Sequence, residues 1–60
     1  MIAAEFCVSR EGHPEPVSRG VIQLSALPAV GEIVTLAGDD FEVRRRHYIV
    51  GGAPDVRLYV

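Results

Sequence analysis

Apolar and polar residues alternate at the start of the chain, with Ile2, Ala4, Phe6 and Val8 on one parity and Ala3, Glu5, Cys7 and Ser9 on the other. A two-residue period marks a strand with one buried face, because successive side chains of extended backbone point to opposite sides. The first strand therefore runs from Ile2 to about Ser9. Glu11-Gly12-His13-Pro14-Glu15-Pro16 follows, and its two prolines remove backbone donors and push their neighbours toward extended geometry, so this segment is a loop. Val17–Leu24 is less regular: Val21 and Ile22 favour a strand, Gly20 interrupts it, and Val21-Ile22-Gln23-Leu24 also fits one helical turn. A short strand is the reading taken. After the break at Ser25-Ala26-Leu27-Pro28, Val30–Leu36 is β-branched and aliphatic, and Val30, Val34 and Leu36 form its expected inward set. Gly38-Asp39-Asp40 reads as a tight turn, Phe41–Val50 as the longest strand and Gly51–Asp55 as a connection. Val56, Leu58 and Val60 then alternate with Arg57 and Tyr59 in a last strand.

Parity within the long strand carries a further constraint. Phe41 and Val43 share one face, whereas Tyr48 and Val50 lie on the other, so both pairs are buried only if the strand changes register between them. A bulge or bend within Arg44-Arg45-Arg46 achieves this, and small barrels use such bends to let one strand serve two sheets. The expected fold is all-β, a small five-stranded barrel with a bent long strand around residues 41–50. Residues 1–60 make one domain, without repeats or an amphipathic helix.

Composition agrees with a folded chain, since 48% hydrophobic against 23% charged residues is a globular balance. Sixty residues bury little surface, so a partner or a second copy of the chain is an expected source of extra stability. Cys7 is the only cysteine, which excludes an internal disulfide and points to a reducing cytoplasm. No leader-like start and no apolar run long enough for a membrane span is present, so neither targeting nor membrane attachment is expected. All six basic residues are arginine, with no lysine or asparagine, a bias in keeping with a high-GC bacterial or phage coding sequence.

The run Leu27-Pro28-Ala29-Val30-Gly31-Glu32-Ile33-Val34-Thr35-Leu36, then Gly38 and Phe41-Glu42-Val43, resembles the strand–turn–strand unit of SH3-like small barrels. In those domains a Gly-acidic-x-Val step enters a strand, and a glycine turn leads to an aromatic-x-Val strand. The likeness covers roughly residues 27–60 and extends to short bacterial and phage proteins of uncharacterised role. It implies a fold and leaves activity open. Signalling SH3 domains read proline-rich peptides on several aromatics including a tryptophan, and this chain has no tryptophan.

Candidate chemistry is sparse. Cys7, His13 and His47 lack the spacing of a zinc site, so no metal or cofactor is expected. Cys7 with a histidine base is a conceivable nucleophile, but a small filler on a strand is the simpler reading. Adjacent Asp39 and Asp40 suit a turn rather than acid–base work. No catalytic residues are assigned, and the chain is read as a non-enzyme. Charge is segregated: residues 1–43 hold two arginines against seven acids, and residues 44–60 hold four arginines against Asp55 alone. Pairing the last two strands across Gly51–Asp55 sets Val50 opposite Val56, Tyr48 opposite Leu58 and Arg46 opposite Val60 as an inner face. The outer face then carries His47, Ile49, Arg57 and Tyr59, with Arg44 or Arg45 beside them. Arg44, Arg45, His47, Arg57 and Tyr59 are thus the candidate partner-binding surface, for an unidentified protein first and single-stranded nucleic acid second. A net charge of −2 disfavours phosphate binding. The alternative is a solvated strand face whose charge deters edge pairing.

Overall fold

The computed structural model describes all residues, 1–60, and is all-β without helix: β1 (Ile2–Val8), β2 (Val17–Leu24), β3 (Ile33–Leu36), β4 (Asp39–Glu42), β5 (Arg45–Tyr48) and β6 (Val56–Tyr59). No helix is long and apolar enough to cross a membrane. Four strands form a mixed sheet in the order β2-β1-β6-β5, and β3 with β4 forms a separate hairpin. β1 and β6 are parallel, with Ala4 beside Val56 and Phe6 beside Leu58; β1–β2 and β5–β6 are antiparallel. Ala4, Phe6, Val43, Val56 and Leu58 are the buried core, against which Ile22, Leu24, Leu27, Val34 and Leu36 pack from the rim. Only six of the 60 residues are buried, five of them in this cluster, so the interior is a single thin layer.

Six strands stand where five are expected because the long strand breaks in two. Val43 donates its N–H to Glu32 (2.9 Å) and accepts from Gly31 (2.8 Å), which keeps it in the hairpin. The very next N–H, that of Arg44, donates to the Tyr59 carbonyl (2.8 Å) and belongs to the four-stranded sheet. The chain therefore changes sheets across one peptide unit, at the edge of the expected Arg44–Arg46 bend. Val43 is fully buried at this corner. The two sheets do not join elsewhere: no Cα of β3 or β4 lies within 8 Å of a strand of the larger sheet, whereas paired strands lie about 4.8 Å apart. Hydrogen bonding thus does not close the six strands into the expected five-stranded barrel: they form a four-stranded sheet and a separate hairpin.

β2 is a full eight-residue strand, and a bulge explains its uneven pattern. Arg19 and Gly20 together oppose the single residue Phe6, shifting the register between the Glu5–Val21 and Cys7–Ser18 pairs. Gly20 has φ +100°, a left-handed step open to glycine without a steric penalty, and its N–H donates to Ser18 Oγ (3.2 Å). The extra residue puts Val17, of odd number, on the same side as Ile22 and Leu24. The alternation is real, but it changes parity in mid-strand.

Three sequence expectations are corrected. The hairpin turn is Ala37-Gly38, at φ +50° and +88°, while Asp39 and Asp40 open β4 opposite Leu36 and Thr35. Paired positive φ values make the two-residue turn that matches strand twist. Tyr48 and Val50, expected inside, are 56% and 97% exposed. Their register has slid by two residues: Tyr48 opposes Val56 and Arg46 opposes Leu58, because Ile49 N–H bonds the Asp55 carbonyl (2.9 Å) and leaves residues 50–54 in the loop. A two-residue slip preserves faces, yet it pushes Val50 out of the strand and Tyr48 to its open end. Ile49 likewise lies beyond β5, half-buried, and not on its outer face. Finally, Val30 precedes β3 and is 56% exposed, so only Val34 and Leu36 of its expected inward set reach the core.

Phe6→Ala removes a fully buried ring of β1 that sits beside Leu58 of β6, and should cost about 3–5 kcal/mol and unfold so small a domain. Tyr48→Ala should shift stability by no more than about 0.5 kcal/mol. Thermal or urea melts of the two variants check both, and the opposite ranking would show that the faces are inverted.

Candidate binding surface

The hairpin packs on one face of the four-stranded sheet, and on the other Ser18, Arg45 and His47 are exposed, Glu5, Arg57 and Tyr59 half-buried and Cys7 buried. Cross-strand pairing sorts that outer face into two rows. Ser18, Cys7, Tyr59 and Arg45 lie side by side across β2, β1, β6 and β5, and Val21, Glu5, Arg57 and His47 form the next row. Arg45, His47, Arg57 and Tyr59, all from the predicted surface, therefore do share a face. Arg44 does not join them. It sits at the sheet corner, exposed and outside β5, held by its backbone bond to Tyr59.

Within this face the side chains are interlocked. The Arg45 guanidinium lies 4.2 Å from the centroid of the Tyr59 ring, a cation–π contact that ties the two side chains together. Glu5 accepts from Arg57 Nε at 2.9 Å through one oxygen and from Ser18 Oγ at 2.7 Å through the other. Arg57 keeps its two terminal nitrogens for other acceptors. A shallow groove runs over these pairs, lined by Glu5, Cys7, Glu15, Pro16, Ser18, Arg45, Arg57 and Tyr59. Two carboxylates facing two guanidinium groups make the groove close to neutral. A second stack, Arg46 over Tyr48 at 5.9 Å, lies on the opposite side of the β5 edge.

The parity of β1 marks Glu5 and Cys7 as outward, but nothing local shows that β1 lies beside β6. Glu5, Cys7, Glu15 and Ser18 were missed for that reason. The contact of Glu5 with Arg57 spans 52 residues of sequence, and only the parallel pairing creates it.

Three groups have displaced pKa values, and the hydrogen bond to Glu5 raises that of Arg57. The hydrogen bond from Ser18, followed by that from Arg57, holds Glu5 below its ordinary 4.5. Burial, and then the Glu5 charge, pushes the Cys7 thiol up, with Arg57 opposing weakly. A thiol raised in this way stays protonated at neutral pH and is a poor nucleophile. No histidine lines the groove to act as its base. No three His, Cys, Asp or Glu side chains converge anywhere to hold a metal ion.

Because the folded-state pKa of Glu5 is depressed, its contribution to stability is present above 4.5 and is lost as pH falls through the lower, folded value. Glu5→Gln should flatten this acid limb in melts taken from neutral pH downward, while leaving the fold intact. An unchanged acid limb would mean that the Ser18 and Arg57 bonds do not form in solution. No protein-family model, curated protein or solved structure matches this chain, and what can be said of the surface rests on its own geometry.

Proposed function

We propose that this chain is a non-enzymatic binding module of the SH3-like small-barrel type, which engages a protein partner through the outer face of its four-stranded sheet. The observation that carries the proposal is the Arg45–Tyr59 stack beside the Glu5–Arg57 pair, on the sheet face opposite the hairpin, in a groove bordered by Glu15 and Pro16. Arginine and tyrosine are the side chains that most often anchor protein interfaces, and here both are held in place before any partner arrives. The balanced charge of the groove fits a polar protein surface better than a phosphate backbone, which rewards an excess of cations. A reducing cytoplasm suits the free Cys7.

Single-stranded nucleic acid is the second reading. It is favoured by the exposed run Arg44-Arg45-Arg46-His47-Tyr48, which offers cations and a ring for base stacking along one edge. Against it stand Glu5 and Glu15 in the adjoining groove.

Affinity capture from the source cells, with bound proteins and RNA both identified, supplies the partner for titration. Arg45→Ala and Tyr59→Ala should each weaken binding of a captured protein by about tenfold or more, with little dependence on salt. Binding of RNA that falls log-linearly with ionic strength would establish the second reading instead. Wild-type affinity in both variants would reduce the outer face to a solvated strand surface.

A further inference from the structure

The four-stranded sheet has two free edges of opposite character. β5 presents Arg45, Arg46 and His47 at one end, a density of charge that deters another strand from pairing there. β2, at the other end, pairs with β1 alone. Beyond the Arg19–Gly20 bulge its edge reads Val21-Ile22-Gln23-Leu24, with no charge, no proline and no covering element. Val21 is 55% exposed there. Backbone N–H and C=O groups on the outward side of this stretch bond to no other strand, and such an edge is a template for strand addition.

We propose that this edge pairs with the same edge of a second copy, joining two four-stranded sheets into one of eight strands about a two-fold axis. Faces decide the register. An axis normal to the sheet pairs each residue with one on the same face, so it passes through Ile22 or Gln23 and never between them. With the axis through Ile22 the two Ile22 side chains meet on the core side, and with it through Gln23 each Ile22 meets the Leu24 of the other copy; both residues are now only half-buried. Leu24 is also a wall of the open apolar groove formed with Leu27, Pro28, Ile33 and Val34, so the incoming side chains continue that surface. Three observations select a copy of this chain as the occupant. The opposing edges carry no charge to repel one another. The core cluster holds only five buried residues and gains from any apolar addition. The arginine-rich edge forbids the same contact at the other end of the sheet.

The binding face proposed above is left open by this arrangement, so the two ideas stand or fall separately. Sedimentation or light scattering of the pure chain over a range of concentrations should give the mass of two chains, falling to one on dilution. Val21→Lys with Gln23→Lys places like charges opposite each other for both axis positions and should weaken the dimer about tenfold or more. Tyr48→Lys, on the β5 edge, should leave it unchanged. NMR spectra of each variant show whether the monomer fold persists. A single-chain mass at the highest attainable concentration overturns the proposal. So does a dimer that the Tyr48 variant breaks, or one that the β2 variant leaves intact.

Discussion

The parallel pairing of β1 with β6 is the constraint on which the rest of the molecule depends. It joins segments more than 50 residues apart in sequence and seats Ala4 and Phe6 beside Val56 and Leu58, four of the five residues of the core cluster. The same pairing works on the other face, where it brings Glu5 to Arg57 and Cys7 to Tyr59. Core and candidate surface are two sides of one strand contact. Asp55 ties its near end: its N–H donates to the Ala3 carbonyl at 2.9 Å, and its Oδ2 accepts from Ala3 N–H at 3.0 Å. Val60 N–H, bonded to the Cys7 carbonyl at 3.0 Å, ties the far end.

A thin core makes each backbone device more consequential. The interior would not close if the long strand ran straight, because Val43 has to face the core from the hairpin while Arg45 faces away from it in the larger sheet. Changing sheets between Val43 and Arg44 solves both demands within one peptide unit. The glycine bulge at Arg19–Gly20 does the same for β2, returning Ile22 and Leu24 to the core side after Val17. Neither device adds buried area by itself. Each turns an existing apolar side chain inward.

Much of this was legible in the sequence where periodicity was unbroken. β1 and β6 read correctly because each keeps one parity throughout. The bend of the long strand was also legible, since Phe41 and Val43 disagree in parity with Tyr48 and Val50. What misled was the assumption that disagreement means burial of both pairs. Tyr48 lies at the open end of an edge strand and Val50 in the loop beyond it, where the neighbour they needed is absent. Loop length caused the same error, because the backbone bond between Ile49 and Asp55 sets the register and no side-chain pattern reports it. Of the candidate surface, Arg45, His47, Arg57 and Tyr59 came from pairing two sequential strands. Glu5, Ser18 and Glu15 reach the surface only through long-range order, which parity alone does not encode.

Glu5 changes what the arginine cluster can do. A strand pair bearing only Arg45, His47 and Arg57 would be a cationic stripe, whereas Glu5 binds Arg57 and shares the groove with Glu15. All of these assignments require β1 and β6 to be neighbours at the centre of the sheet. Native-state hydrogen exchange measures that most directly. Amides of Ala4–Cys7 and Val56–Leu58 should be the last to exchange, opening only with global unfolding. Protection concentrated in the β3–β4 hairpin, with β1 and β6 exchanging early, would contradict the account.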